Sequence, residues 1–268
     1  MNTNTAAVKV IIVDDAGAVR GMLRALLSAE GYNVVADLGS GAQLLAAVAK
    51  HEPAIVCLDY NLPDANGIDL LKAIHAAHPH VAVVMITGSS EPDLESAAAT
   101  AGAAGFLRKP FSPDRILKEL RQVAHTQQLL GATAAAAAKA PPPVVATARA
   151  RAVIADDSAS MRALLSGILE RVAVEVVGAA CDGKQAVELV AQHHPDIVCL
   201  DVDMPVMNGI EALQAIHAAH PAIKVLMITG STSRDAIVQA GKLGARGYIL
   251  KPFQPEKVVQ AIDKLLTS

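Results

Sequence analysis

Three residue types that suit phosphoryl chemistry, Asp, Thr and Lys, occur along this chain in a fixed order. An acidic pair, Asp14-Asp15, is followed after 44 residues by Asp59, after 28 more by Thr87 and after 22 more by Lys109. A carboxylate is a competent nucleophile for phosphoryl transfer when a metal and a lysine neutralise the approaching charges. A hydroxyl and an ammonium are donors that suit phosphoryl oxygens. These residues predict an aspartate that carries a phosphoryl group, with Asp59 as the acceptor.

The acidic pair and Asp59 also predict a metal site. Three carboxylates that converge at one place repel each other, and a cation or solvent must offset their charge. Oxygen ligands, few in number and with room left for water and phosphate oxygens, favour Mg²⁺ over zinc, whose Cys and His ligands are absent at these positions. The sequence therefore predicts Mg²⁺ as the cofactor, with Asp14, Asp15 and Asp59 as candidate ligands.

The chain matches itself at a shift of 142 residues, and no gap is needed across residues 14–111. The candidate positions recur at that shift as Asp156, Asp157, Asp201, Thr229 and Lys251. A period this long indicates a duplicated domain, because solenoid repeats are about 20–50 residues long. A single acidic pair is more often a helix N-cap than a metal site. The recurrence of the whole set at the same spacings is what favours a functional site.

The repeat divides the chain into a first domain at 8–130, a linker at 131–150 and a second domain at 151–268. The linker is rich in Ala and Pro. Its poly-Ala part can extend the preceding helix, whereas Pro141-Pro142-Pro143 must end that helix and run as polyproline II.

Within each copy, short β-branched runs alternate with amphipathic segments of helical length. In the first copy, strands are predicted near 8–13, 33–37, 54–58, 81–86 and 104–107, and helices near 18–30, 40–50, 66–77, 91–101 and 113–130. Five βα units with nearly continuous apolar strands predict an α/β fold with a doubly wound parallel sheet. Ligands bind such sheets beyond the carboxyl ends of the strands. The acidic, Thr and Lys positions all fall there.

Both copies resemble the CheY-like receiver domains of bacterial two-component response regulators. The resemblance covers nearly the whole chain apart from the first few residues and the linker, and it implies two flavodoxin-like (βα)5 domains. It gives each position above a role in both copies: acidic pair, phosphoacceptor, switch threonine and lysine. The Pro and Gly of the loop after the acceptor match Pro63/Gly67 and Pro205/Gly209.

The resemblance implies further site residues. It places an aromatic switch position at Phe106 and Tyr248, and it adds a backbone carbonyl two residues past the acceptor, Asn61 or Asp203, to the Mg²⁺ ligands. It also implies a cis peptide bond at each Lys-Pro. We expect Phe106 to prefer a buried position, whereas the phenol of Tyr248 can pack inward or stay in water.

Two further local expectations follow from the residues themselves. The first helix of the first copy is preceded by Ala16 where the second copy has Ser158, so we expect it to be less firmly capped. The histidine pairs His75/His78 and His217/His220 have helical spacing, and we expect them at solvent-facing helix ends and not at a metal site.

The resemblance implies a response regulator that takes phosphate from a sensor histidine kinase or a histidine phosphotransfer protein. No output motif follows Leu266, so we expect signalling to a downstream protein target by contact, in chemotaxis, motility or a phosphorelay, without enzymatic turnover. A phosphate sink is equally compatible. Dimerisation through the face of the fourth helix, fifth strand and fifth helix stays open.

A haloacid-dehalogenase-like phosphatase is the competing hypothesis from the enzyme class. Such enzymes also form an aspartyl phosphate on a doubly wound sheet, and Asp201-Val202-Asp203 superficially resembles their nucleophile motif. The first copy has Asp59-Tyr60-Asn61 instead, and neither copy has room for a cap domain. The sequence therefore favours the receiver.

Charge and composition exclude other classes. Residues 8–130 hold 10 basic and 13 acidic side chains and residues 151–268 hold 11 and 13, so neither half has the basic excess of a nucleic-acid-binding domain. The odd number of cysteines, Cys57, Cys181 and Cys199, is typical of reduced thiols in a cytoplasm. Without a signal peptide or a run of about 18 apolar residues, we expect a cytoplasmic protein with no membrane insertion.

Overall fold

The computed structural model describes residues 7–91, 93–139, 148–230 and 234–267. The chain divides into two compact units, residues 1–127 and 128–268. The predicted polyproline segment, Pro141 to Pro143, lies outside the described residues. No helix within the described residues is long and apolar enough to span a membrane.

Strands and helices alternate through the first unit. Its strands are β1 (Lys9–Val13), β2 (Asn33–Leu38), β3 (Ile55–Asp59), β4 (Ala82–Thr87) and β5 (Gly105–Arg108). Its helices are α1 (Gly17–Ala29), α2 (Leu44–His51), α3 (Gly67–Ala77) and α4 (Leu94–Thr100), and α5 (Pro113–Lys139) follows. The strands form one parallel sheet in the order β2-β1-β3-β4-β5. This is the predicted doubly wound α/β fold.

The second unit repeats the same architecture. Its strands are β6 (Ala150–Ala155), β7 (Val174–Ala180), β8 (Ile197–Leu200), β9 (Lys224–Thr229) and β10 (Gly247–Leu250). Its helices are α6 (Ala159–Arg171), α7 (Gly183–His193), α8 (Gly209–Ala219), α9 (Arg234–Lys242) and α10 (Pro255–Thr267). The parallel sheet has the order β7-β6-β8-β9-β10, which matches the first unit strand for strand.

Each sheet is buried on both faces because successive strand residues point to opposite sides. In β1, Val10 and Ile12 belong to a core that also contains Leu23 of α1 and Leu120 of α5. Ile11 lies on the opposite side, in a core shared with α2, α3 and α4. This two-sided burial explains why the strands are nearly continuous apolar runs.

The predicted strands agree with the observed ones to within one residue at each end, whereas α2 and α4 begin four and three residues later than predicted. Helix α2 begins at Leu44 because the amides of Gly41 and Ala42 donate to the carboxylate of Asp64, at 2.9 and 2.8 Å, instead of starting a helix. Helix α5 continues through the Ala-rich segment to Lys139, as expected, and β6 begins at Ala150, inside the predicted linker.

The helix caps differ between the units as expected. Ala16 gives α1 no side-chain cap, whereas Ser158 accepts a hydrogen bond from the amide of Met161 at 3.4 Å. The expectation for His75 needs correction. Its ring is half-buried against Gly102, a position with φ of 99°, and its Nδ1 atom is buried, because the turn after α4 packs onto α3.

A strained residue lies in the loop between β8 and α8. Val206 has φ of 66° and is 64% exposed. A β-branched residue therefore has a left-handed backbone conformation, and burial of its side chain does not offset the strain. The equivalent residue of the first unit is Asp64, which is not among the positive-φ residues and whose carboxylate binds the two amides before α2.

We predict that Val206→Gly stabilises the second unit by about 1 kcal/mol, because glycine adopts positive φ without a Cβ clash. Urea unfolding followed through the amide signals of each unit measures the change. The matched control is Asp64→Gly, which should destabilise the first unit by about 1 kcal/mol or more because it removes two hydrogen bonds to a charged group. Equal or reversed signs at the two positions would show that backbone strain is not what distinguishes Val206.

Candidate functional site

The predicted site residues lie at the carboxyl ends of neighbouring strands in both units. In the first unit, Asp14 follows β1, Asp59 ends β3, Thr87 ends β4 and Lys109 follows β5. Strands β1 and β3 are adjacent in the sheet, but the chain passes through β2 on the other side of β1 between them. This is the switch point at which doubly wound sheets form their ligand sites.

The strand order brings three carboxylates of the first unit together. One oxygen from each of Asp14, Asp15 and Asp59 lies within 4.8 Å of the others. Asp14 and Asp59 are buried, whereas Asp15 is exposed. The ammonium of Lys109 contacts Asp14 Oδ2 at 2.7 Å and Asp59 Oδ1 at 2.9 Å. One lysine thus bridges the two buried carboxylates.

The second unit repeats this arrangement in a more enclosed form. Asp156, Asp157 and Asp201 form the equivalent cluster within 4.8 Å. Lys251 donates to Asp156 Oδ2 at 2.5 Å and to Asp201 Oδ2 at 2.8 Å. The side chain of Lys251 is 2% exposed, against 24% for Lys109. The lysine and the second member of the acidic pair are therefore more shielded from water in the second unit, whereas the two buried carboxylates are equally shielded in both units.

Burial shifts the acidities in both sites. Burial raises the pKa of Asp59 above its usual value, and the hydrogen bond and charge of Lys109 offset only part of this effect. Burial also raises the pKa of Asp156 to about 6, against the attraction of Lys251. Burial alone would lower the pKa of Lys251, but the carboxylates of Asp156 and Asp201 outweigh it and raise the pKa. The lysine is therefore the firmly charged member of the cluster.

The charge balance of the first cluster suits a divalent cation. Three carboxylates and one ammonium leave two uncompensated negative charges. The carboxylate of Asp15 has no hydrogen bond or ion pair within the described part of the chain, although it lies close to two bound carboxylates. Carboxylate oxygens are the ligands that Mg²⁺ prefers. The residues present therefore fit the cofactor expected from the sequence.

The two threonines are fully buried at the strand ends. The Thr87 hydroxyl accepts a hydrogen bond from the amide of Ser89 at 2.9 Å, and Thr229 is hydrogen-bonded to the phenol of Tyr248. Tyr248 has a pKa raised by burial and, to a smaller extent, by the nearby carboxylates of Asp203 and Asp201. Tyr248 therefore lies inward, toward the site.

The aromatic positions differ in their partners and not in their depth. Phe106 and Tyr248 are both half-buried and pack against the core of their own unit, so the expected deeper burial of Phe106 is not seen. The guanidinium of Arg108 lies 5.7 Å from the centre of the Phe106 ring. A phenylalanine cannot form the hydrogen bond that joins Tyr248 to Thr229.

Residues after Asp59 and Asp201 shape the loop that follows each strand end. The backbone amide of Asn61 donates to the carboxylate of Asp59, and the amide of Val202 donates to Asp201 Oδ1 at 2.7 Å. A Cβ atom at Gly67 would lie 2.6 Å from the carbonyl oxygen of Asp59, so only glycine lets α3 begin this close to the strand end. Both Lys-Pro bonds are cis, as the resemblance implied.

Two arginines contact the site although the sequence analysis did not select them. Arg20 and Arg162 each donate to the main-chain carbonyls of the acidic pair in their own unit. Their recurrence at the shift of 142 was a usable signal. Residue type alone gave none, because an arginine on an amphipathic helix is most often solvent-exposed.

Comparison with known proteins agrees with the fold. The family described as "Response regulator receiver domain" matches residues 10–121 and 152–263. A chemotaxis protein CheY of Thermotoga maritima is 40% identical over 115 residues, which cover 43% of this chain and 96% of that protein. A protein-glutamate methylesterase/protein-glutamine glutaminase of Haloarcula marismortui is 47% identical over 104 residues, 38% of this chain and 28% of that protein.

A crystal structure of the response regulator domain of Thermotoga maritima CheB has 32% sequence identity and a TM-score of 0.42, and the match covers 44% of this chain and 96% of that one.

The fold and the two acidic clusters define a tandem α/β protein with one strand-end site in each unit. The chain belongs to the response regulator receiver domain family, with two copies of that domain, and is a protein of two-component signalling.

We predict that the titration of Asp156 stabilises the second unit of the metal-free protein as the pH falls from 7.5 to 5. The folded pKa of Asp156, about 6, lies above its unfolded value, so its stabilising contribution is present at low pH and lost as pH rises through 6. The gain in unfolding free energy of the second unit should be about 1 kcal/mol. Lys251 stays protonated across this range and adds no pH dependence.

The measurement is urea unfolding in EDTA across this pH range, with Asp156→Asn as the matched variant. Subtracting the two curves removes the histidines and all other shared groups. A difference that is flat with pH, or that has the opposite slope, would contradict the assignment.

Proposed function

We propose that this chain is a two-component response regulator in which both receiver domains accept a phosphoryl group, on Asp59 and on Asp201. One duplicated observation supports the proposal most directly. In each domain the proposed acceptor is buried, is bound by a lysine at less than 3 Å, and lies beside two further carboxylates. An ion pair that served only to stabilise the fold would need one carboxylate beside the lysine, and each domain has three.

The proposed reaction begins with a phosphohistidine on a partner. A carboxylate oxygen of Asp59 attacks the phosphorus, so a P–O bond forms as the P–N bond breaks, and the partner's imidazole leaves with the bonding electron pair. Lys109 already holds one oxygen of the acceptor and stabilises the charge that arrives with the phosphoryl group. Thr87 serves as a hydroxyl donor from the end of the adjacent strand.

The proposed Mg²⁺ ligands come from the acidic cluster and the loop after the acceptor. Bound Mg²⁺ neutralises phosphoryl oxygens during transfer. In the first domain these ligands are Asp14, Asp15, Asp59 and the carbonyl of Asn61, and in the second Asp156, Asp157, Asp201 and the carbonyl of Asp203.

The proposed donor is a sensor histidine kinase or a histidine phosphotransfer protein in the cytoplasm, and the proposed output is contact with a downstream protein. Chemotaxis, motility and phosphorelay circuits all fit this scheme, as does a phosphate sink. Turnover as a haloacid-dehalogenase-like phosphatase finds no support in the second domain, where only residues 201–208 separate β8 from α8. That loop cannot contain a cap domain.

We further propose that the second domain is the partner-facing switch and the first a modulator or phosphate reservoir. Tyr248 joins the switch threonine by a hydrogen bond that Phe106 cannot make. Two large apolar side chains of the second domain are also exposed, Val238 of α9 at 50% and Leu250 of β10 at 42%. At the position of Leu250 the first domain has Arg108, which pairs with Glu95. Exposed apolar side chains suit contact with a protein partner.

We predict that Asp59→Ala and Asp201→Ala each abolish phosphorylation of their own domain by acetyl phosphate without unfolding it, because each removes the acceptor and also relieves carboxylate repulsion. Intact-mass spectrometry should show up to two phosphates on the parent protein, one on each single variant and none on the double variant. Phosphate found on another strand-end aspartate of the mutated domain would show that the acceptor is misassigned.

Labelling should also require Mg²⁺. EDTA should abolish it in both domains, and Asp15→Asn or Asp157→Asn should weaken Mg²⁺ binding in its own domain. Multiple turnovers of a chromogenic phosphate ester per chain would favour the phosphatase instead.

We predict that exchanging Asn61 and Asp203 shifts Mg²⁺ affinity in opposite directions. An extra carboxylate near the cation attracts it by about 1 kcal/mol, or about fivefold, and disfavours the dianionic phosphoryl group. Asn61→Asp should therefore tighten Mg²⁺ binding and shorten the phosphate lifetime in the first domain, and Asp203→Asn should do the reverse in the second. Unchanged affinities and lifetimes in both variants would mean that these residues do not distinguish the domains.

A further inference from the structure

Arg20 and Arg162 make the same unusual contact in the two domains. Arg20 Nη1 donates to the carbonyl oxygen of Asp14 at 2.6 Å and to that of Asp15 at 3.0 Å. Arg162 Nη1 donates to the carbonyls of Asp156 and Asp157 at 2.7 and 3.1 Å. In each case one guanidinium nitrogen, reaching back from the first helix, joins both peptide groups of the acidic pair.

We infer that these arginines are positioning residues that hold the main chain of the acidic pair in its metal-binding geometry and thereby set the affinity for Mg²⁺. We call this main-chain segment, residues 14–15 and 156–157, the acidic turn. The inference rests on the proposed function, since it assumes that the acidic cluster binds Mg²⁺. It assigns to Arg20 and Arg162 a role in the site without direct contact with the metal or the phosphoryl group.

The contacts of the acidic pair show what the arginine adds. Asp14 is held at three other points: its amide donates to Leu38, its Oδ1 accepts from Ala16, and its Oδ2 accepts from Lys109. Asp15 has none of these. Within the described residues, its hydrogen bonding is confined to the one that its carbonyl accepts from Arg20. Without Arg20, the exposed carboxylate of Asp15 would lose the anchor of its own backbone.

The contact is kept although the surroundings differ between the domains. Arg20 also lies 3.8 Å from Asp37, whereas the equivalent position in the second domain is Ala179. Helix α1 lacks a side-chain cap, whereas α6 is capped by Ser158. A contact that served only to cap the helix or to pair surface charge would not be needed equally in both settings. What the two domains share at the observed contact is the acidic turn.

Charge and positioning predict opposite effects of removing the guanidinium. A positive charge near a cation site weakens cation binding, so an arginine acting by charge alone would leave Mg²⁺ bound more tightly after its removal. An arginine that orders the ligands lowers the entropic cost of assembling them, so its removal would weaken binding. Lysine separates the two effects further, because it keeps the charge but carries it on a flexible four-carbon stem, without the rigid guanidinium that places one nitrogen between the two carbonyls.

The experiment titrates the full chain with Mg²⁺ alone and follows amide NMR signals of each acidic turn, for the parent protein, Arg20→Ala and Arg20→Lys. We expect both variants to bind Mg²⁺ at least fivefold more weakly in the first domain, with the second domain unchanged. Arg162→Ala and Arg162→Lys should show the reciprocal pattern.

Arg24→Ala is the matched control. Arg24 lies one turn further along α1 and pairs with Asp37 at 2.7 Å, but it makes no contact with the acidic turn among the described residues. It should leave Mg²⁺ affinity unchanged. Urea unfolding in EDTA checks that the variants are folded, and if Arg20→Ala is not, Arg20→Lys carries the test.

The outcomes distinguish failure of the proposed function from failure of the positioning role. A parent protein that fails to bind Mg²⁺ would overturn the proposed function. If the parent protein binds Mg²⁺, three results would overturn the positioning role alone. These are unchanged or tighter binding in Arg20→Ala, full affinity in Arg20→Lys, and an equal loss of Mg²⁺ affinity in Arg24→Ala.

Discussion

Mutual repulsion among three carboxylates at one sheet edge is the constraint on which each domain depends. The strand order places an acidic pair and a further aspartate side by side, and burial makes two of the three charges costly. A lysine directly after the last strand of each sheet bridges the two buried members. It can reach them only because all five strands are parallel and end at the same edge.

The hydrophobic cores stabilise each domain and so offset the cost of burying these charges. Buried strands alternate their side chains between two apolar layers, and these layers are built almost entirely from Ala, Val, Ile and Leu. Close packing of such layers keeps the strand ends in register, so that positions 44, 28 and 22 residues apart in sequence converge. The tight approach of Gly67 and Gly209 to the carbonyls of Asp59 and Asp201 holds the following helix against the same edge.

The features that sequence reasoning predicted are those that follow from periodicity. Parallel strands oblige their carboxyl ends to meet, so Asp14, Asp59 and Lys109 could be placed together before any contact was seen. The late start of α2 could not, because it depends on Asp64 reaching back to Gly41 across 23 residues. The bond from Arg20 to the main chain was missed for a similar reason. Every residue has a backbone carbonyl, so the sequence does not indicate which carbonyls Arg20 binds. The inward orientation of Tyr248 was not predicted either, because it depends on packing that the alternation of side chains along a strand does not determine.

Duplication let two copies of one site acquire different electrostatics without changing the reacting residues. Lys109 keeps nearly a quarter of its side chain in water, whereas Lys251 is almost completely enclosed. A charge that arrives in the enclosed site is screened less, so it interacts more strongly with the lysine, the carboxylates and Tyr248 around it. A phosphoryl group on Asp201 would therefore exert a larger force on its surroundings than one on Asp59. This supports the proposal that the second domain is the conformational switch, independently of the residue two positions past the proposed acceptor.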